Sequence, residues 1–138
     1  MIRCLIIFNM VNKNRIMIVD DNPIDHMITK YVLKHNYAIE DIMVMESAEE
    51  ALKYLEKHRT QLDALPELII LDLDMPDLNG FDFLERFSSY SDELKNACKI
   101  VVLTASDVLL NLEKIKANIN VIELINKPLQ KDDLLTII

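Results

Sequence analysis

Five polar side chains close short apolar runs in this chain. Asp20 and Asp21 follow Ile16-Met17-Ile18-Val19, and Asp72 follows Leu68-Ile69-Ile70-Leu71. Thr104 follows Ile100-Val101-Val102-Leu103, and Lys127 comes just after Val121-Ile122-Glu123-Leu124-Ile125. Each has a plain account alone: acids cap helices, a threonine can end a strand, and a lysine before proline is usually solvated. Brought together they would do chemistry. Two carboxylates about 4 Å apart repel by roughly 4 kcal/mol at an effective dielectric near 20. Three acids without imidazole or thiolate favour a hard, oxygen-seeking cation such as Mg²⁺, which commonly takes few carboxylates plus waters and phosphate oxygens. The hydroxyl and the ammonium add donors for an anion. The set suits a phosphoryl group held beside Mg²⁺.

Such convergence requires all five runs to end on one edge, and the intervening segments provide for that. Asn22-Pro23 reads as an N-cap with proline at the first helical position. Ile24, Met27, Ile28, Tyr31 and Val32 then recur at helical spacing, predicting one apolar face. Ile42-Met43-Val44-Met45 is strand-like, and Ser47 with Glu50 opens a helix whose stripe is Ala48, Ala51, Leu52 and Leu55. Phe81, Leu84 and Phe87, with Phe83 beside them, mark a third helix. Val108, Leu112, Ile115 and Ile119 mark a fourth, and the last ten residues, from Leu129 to Ile138, allow only a short fifth. Five β-then-α units imply an α/β domain: a doubly wound, five-stranded parallel sheet of the flavodoxin-like kind, with helices on both faces. Ligands of such sheets bind beyond the carboxyl ends of the strands.

Composition narrows the chemistry. Gly80 is the one glycine in 138 residues, which excludes a P-loop and a dinucleotide fingerprint. The net charge of −8, without a basic run, argues against direct nucleic-acid binding. Cys4 and Cys98 form no CxxC pair and read as ordinary reduced thiols; His26, His35 and His58 have no metal-ligand spacing. The run Cys4 to Phe8 is too short to span a bilayer and lacks a cleavage site. Residues 1–14 are therefore expected to be an N-terminal extension, with Met10 as an alternative start, and residues 15–138 the domain. Asp77 reads as a turn residue beside Pro76, with Asn79-Gly80 bending the chain into the third helix.

The segments VDDNPIDH, LDLDMPDLNG, VVLTAS and NKPL, with their order of two acids, an acid, a threonine and a lysine, resemble the receiver (CheY-like) domain of two-component response regulators. The resemblance runs from Arg15 to the end. It implies the strand order 2-1-3-4-5 and makes Asp72 the phosphoacceptor, taking a phosphoryl group from a phosphohistidine. Asp20, Asp21, Asp72 and the backbone carbonyl of Asp74 would hold Mg²⁺. Lys127 and Thr104 would each engage a phosphoryl oxygen, and the Lys127-Pro128 bond would be cis. Asp74 and Ser106 would tune the lifetime of the acyl phosphate.

Leu124 departs from the pattern, standing where chemotaxis-type receivers carry an aromatic switch residue. The short last helix is a second departure. Leu134, Leu135, Ile137 and Ile138 are expected to be partly exposed there, on a face where a homodimer could form. The resemblance further implies a cytoplasmic, stand-alone receiver served by a sensor histidine kinase or a histidine phosphotransfer protein. Such a donor would first meet the helix after Pro23, with His26, Met27 and Lys30 as candidate contacts. Two rivals differ in class. A haloacid-dehalogenase phosphatase would use Asp72-Leu73-Asp74 as its DxD pair, although that motif normally follows a first strand. A receiver-like binding module would never be phosphorylated.

Overall fold

The computed structural model describes residues 15–75, 80–105, 113 and 115–138. Its strands are β1 (Ile16–Val19), β2 (Ile42–Met45), β3 (Leu68–Asp72), β4 (Lys99–Thr104) and β5 (Val121–Asn126). They form a single sheet in the order β2-β1-β3-β4-β5, and every neighbouring pair is parallel. Its helices are α1 (Pro23–Tyr37), α2 (Ala48–Lys57), α3 (Gly80–Ser88) and α4 (Asp92–Ala97). Parallel neighbours cannot be joined by tight hairpins, so the connecting segments cross over and cover the sheet.

Side chains alternate along each strand, so each strand feeds two cores. Met17, Val19, Ile69, Leu71, Ile100 and Val102 point to one face and join Ala51, Leu52 and Leu55 of α2, Phe83, Leu84 and Phe87 of α3, and Leu94 of α4. Ile16, Ile18, Leu68, Ile70, Val101 and Leu103 join Val32 and Leu33 of α1 on the other face, where Leu129 and Leu134 of the C-terminal segment complete the cover. The doubly wound parallel architecture and its strand order are as expected.

Local chemistry explains the elements. The Asn22 side-chain oxygen accepts from the N–H groups of Ile24 (2.9 Å) and Asp25 (3.1 Å), and Pro23 takes the first helical position, where no donor is missed. Ser47 Oγ accepts from the Glu50 N–H at 3.0 Å, and the buried stripe of α2 is Ala48, Ala51, Leu52 and Leu55, as its spacing predicts.

Helix α1 is rotated from its expected face. Ile24, Met27 and Tyr31 are 69%, 64% and 62% exposed, Ile28 is exposed too, and of the five predicted positions only Val32 is buried. The inward row is Thr29, Val32 and Leu33. Thr29 can lie there because its hydroxyl donates to the Asp25 carbonyl at 3.2 Å, which satisfies it within the helix. With Leu33 seated in the core, the remaining apolar side chains face outward.

The C-terminal segment differs as well. No α-helix forms over the last ten residues; residues 131–137 make successive turns. Three i-to-i+3 bonds shape them: Asp133 N–H to Gln130 O, Leu135 N–H to Asp132 O, and Ile137 N–H to Leu134 O. The Tyr37 hydroxyl donates to Lys131 O at 2.6 Å and accepts from the Leu134 N–H at 2.9 Å. Asp133 Oδ2 accepts from the Gln130 N–H at 2.7 Å. These partners take backbone groups that a helical ladder would use. Leu134 is fully buried, against expectation, while Leu135 and Ile138 are exposed.

In the region of the expected fourth helix, Val108 and Leu112 lie outside the described residues. Ile115 is buried in the core, whereas Ile119 is 92% exposed and so does not share its face. Helix α4 has no counterpart among the elements expected from the sequence. It is capped by Ser91 Oγ on the Leu94 N–H at 3.3 Å and has only Leu94 buried, too short a segment to display a period.

Candidate functional site

Parallel register brings the strand ends into line. Val19 pairs with Leu71, Asp72 with Leu103, and Thr104 with Asn126, so the residues after β1, within β3 and β4, and after β5 share one edge. Asp20, Asp72 and Thr104 are buried, and Asp21 is exposed at the rim. One carboxylate oxygen from each of Asp20, Asp21 and Asp72 lies within 4.8 Å of the others. Lys127 Nζ is 3.0 Å from Asp72 Oδ1 and 3.6 Å from Asp20 Oδ2.

Backbone donors hold these groups in place. Asp20 Oδ1 accepts from the Asn22 N–H at 2.9 Å, and Asp72 Oδ1 accepts from the Asp74 N–H at 3.1 Å. The Lys127 N–H donates to Thr104 O at 2.9 Å, tying the end of β5 to that of β4. The Lys127-Pro128 peptide is cis, as the resemblance implied.

The glycine has a different role from the one its turn context suggested. Gly80 has no positive φ. It opens α3 against the backbone of β3, where a Cβ would lie 2.8 Å from Leu73 Cα and 3.1 Å from Asp72 O. Its N–H donates to Leu73 O at 3.2 Å. Close approach beside Asp72 is what demands glycine.

The electrostatics favour a cation and an anion together. Burial pushes the Asp72 carboxyl from its ordinary 3.8 up to about 6, with the hydrogen bond from Lys127 opposing and the charge of Asp20 adding. Burial also raises Asp20, against the Asn22 N–H and Lys127. For Lys127 burial alone would lower the value, but hydrogen bonds to Asp25 and Asp72 outweigh it and hold the ammonium charged. Three converging carboxylates against one ammonium leave an excess of negative charge in a partly dry site. An oxygen-only donor set of that kind fits a hard divalent cation.

The structure thus brings Asp20, Asp21, Asp72 and Lys127 together and places Thr104 on the same edge. Asp74 lends its N–H to Asp72, while its carboxylate is exposed and outside the acidic cluster. Leu124 is half-buried on β5 against the core beneath α2 and α3. Ser106 and Asp77 lie outside the described residues. Asp25, not among the residues expected at the site, joins it: its Oδ2 is 2.9 Å from Lys127 Nζ. Its position in the first turn of α1, so close after Asp20, was the available signal. Cys98 is buried, and burial pushes its thiol up to about 12, in keeping with an inert core thiol. Among the described residues no helix is long and apolar enough to cross a membrane.

Known proteins share this fold. A two-component response regulator from Cytophaga hutchinsonii superposes with a TM-score of 0.80 at 22% identity, covering 88% of this chain and 91% of that one. The phosphorylated cyanobacterial phytochrome response regulator RcpA superposes at 0.71 with 26% identity, covering 90% and 87%. Among curated proteins, a protein-glutamate methylesterase/protein-glutamine glutaminase of Syntrophus aciditrophicus is 29% identical over 100 residues, 72% of this chain. The chain spans 25% of that relative's length. The model of the response regulator receiver domain matches residues 16–138. By the order of its strands and the acids, threonine and lysine along their carboxyl edge, this chain belongs to the response regulator receiver domain family.

Proposed function

We propose that this chain is a cytoplasmic signalling phosphoacceptor that takes a phosphoryl group onto Asp72 from a sensor histidine kinase or a histidine phosphotransfer protein. The observation that carries this reading is the placement of Lys127 Nζ 3.0 Å from Asp72 Oδ1, with the carboxylates of Asp20 and Asp21 in the same cluster. In the reaction a carboxylate oxygen of Asp72 attacks phosphorus in line. The bond from phosphorus to the donor nitrogen breaks, and an acyl phosphate remains.

Transfer of this kind passes through a loose transition state and depends on positioning and charge neutralisation. Lys127 neutralises one phosphoryl oxygen, and the Thr104 hydroxyl reaches another. Asp20, Asp21, Asp72 and the Asp74 carbonyl would hold Mg²⁺, which when bound supplies the remaining positive charge. Because Leu124 replaces an aromatic ring, the response to phosphorylation runs through smaller shifts around Thr104 and β5 rather than through a rotating ring. Asp74 and Ser106 set how long the acyl phosphate survives. The donor meets α1 beside the site, where Met27 is exposed and His26 and Lys30 are half-buried. The phosphorylated state of RcpA supports the same chemistry for its relative here.

Incubation with Mg²⁺ and acetyl phosphate, read by intact mass, tests the proposal. One phosphate should be added and Asp72→Asn should abolish it. Labelling of the Asp72→Asn chain, or sustained turnover of a phosphate ester, would refute it.

A further inference from the structure

The phosphoacceptor chemistry leaves one short contact unused. Lys127 Nζ lies 2.9 Å from Asp25 Oδ2, as near as it lies to Asp72 Oδ1 at 3.0 Å and nearer than Asp20 Oδ2 at 3.6 Å. One ammonium is thus shared by carboxylates following β1, ending β3 and in the first turn of α1. The bond from Asp25 to Lys127 joins positions 102 residues apart, linking the start of α1 to the segment after β5.

Of the three N–H donors of an ammonium, two face Asp25 and Asp72 at hydrogen-bond distance, so an anion arriving on Lys127 competes with carboxylates that already share its charge. The three carboxylates around it differ in how readily they give way. The side chains of Asp20 and Asp72 are each 2% exposed, and stripping either of its cation would leave a buried charge uncompensated. Asp25 is 36% exposed, so water can replace the lysine at small cost. Asp25 also stands outside the acidic cluster formed by Asp20, Asp21 and Asp72, so a cation bound there leaves it without a competing role.

We propose that Asp25 is a positioning residue that competes with the incoming phosphoryl group for Lys127, holding the ammonium beside Asp72 until the group arrives and then releasing it. Transfer of the ammonium breaks the tie between α1 and the segment after β5. The first turn of α1, on the helix that carries exposed Ile24, Met27, Ile28 and Tyr31, thereby registers the state of Asp72. The inference rests on Asp72 being the phosphoacceptor.

Beryllofluoride, which mimics a phosphoryl group on a carboxylate, is titrated at saturating Mg²⁺ into the full chain. Asp25→Asn and Asp25→Ser should bind it about three- to fivefold tighter, in line with one partly exposed ion pair, while Asp25→Glu should stay near the unaltered chain. Labelling by acetyl phosphate, followed long enough to read slow variants, should quicken to a similar extent in Asp25→Asn. In a Lys127→Ala background the same change should leave the labelling rate alone. Equal or weaker beryllofluoride binding by Asp25→Asn overturns the proposal. So does a gain that persists without Lys127, since simple charge repulsion would then account for it. Failure of the unaltered chain to bind beryllofluoride or accept phosphate would overturn the phosphoacceptor reading as well, which separates the two.

Discussion

Gly80 packs so tightly on Leu73 that a Cβ at position 80 would lie 2.8 Å from Leu73 Cα and 3.0 Å from Leu73 Cδ1. The nearest obstacle is backbone, which cannot swing aside, and it adjoins Asp72. Gly80→Ala is expected to destabilise the fold by about 1–3 kcal/mol through overpacking. Urea denaturation checks this, and an unchanged midpoint would show that β3 and α3 separate freely. Because the displaced backbone carries Asp72, labelling by acetyl phosphate should slow in the same variant.

The raised pKa of Asp72 makes stability depend on pH and on metal. A folded value of about 6 against an ordinary 3.8 means that the folded chain binds the proton more tightly than the unfolded one. This penalty is absent below about pH 4, grows between the two values and is complete above about pH 6. In the presence of a chelator, Asp72→Asn should therefore stabilise the protein by about 1–3 kcal/mol near pH 7.5, with little gain near pH 4. Denaturation of both chains across this range is the measurement. Mg²⁺ should narrow the difference by stabilising the unaltered chain.

Tyr37 fastens the C-terminal turns through two hydrogen bonds of its hydroxyl, to Lys131 O and from the Leu134 N–H. Tyr37→Phe keeps the ring and removes both. A loss of about 1–2 kcal/mol is expected, because the partly buried Leu134 N–H is left without its acceptor. Hydrogen exchange should quicken at Leu134 while the amides of β1 and β3 remain protected. Unaltered exchange at Leu134 would mean that packing of its side chain alone holds the segment.

Ala38 ends α1 in the left-handed region, with φ 55° and ψ 34°, and the Ile39 N–H reaches back to Leu33 O at 3.0 Å. A residue with a Cβ adopts this conformation at a cost of about 1–2 kcal/mol, part of which glycine returns as greater freedom in the unfolded chain. Ala38→Gly is expected to stabilise the fold by about 0.5–1 kcal/mol, with a higher Tm and unchanged labelling. A lower Tm would show that the Cβ contributes packing there.

Legibility varied from element to element for physical reasons. The stripe of α2 could be read because its small and branched residues fall on one side and charges on the other. Helix α1 could not, because apolar residues occur on both sides of it. Its rotation seats Val32 and Leu33 in the core, which a threonine that satisfies its own hydroxyl permits. Asp25 escaped notice because an acid in a first helical turn is already explained by the positive end of the helix dipole. The C-terminal helix failed because a tyrosine 94 positions away from Lys131 captured backbone groups, a contact no local pattern announces.

The five strands, the first three helices, the caps at Asn22 and Ser47, and the five side chains assigned to the edge of the sheet were legible in the sequence alone. Each depends on near neighbours or on a repeating spacing. Tertiary structure alone decided that Lys127 is shared with Asp25, that Gly80 is needed for its missing Cβ rather than its backbone freedom, and that Tyr37 holds the C-terminal segment. Those facts depend on distances between segments remote in sequence, which come into being only when the sheet and its covering elements pack.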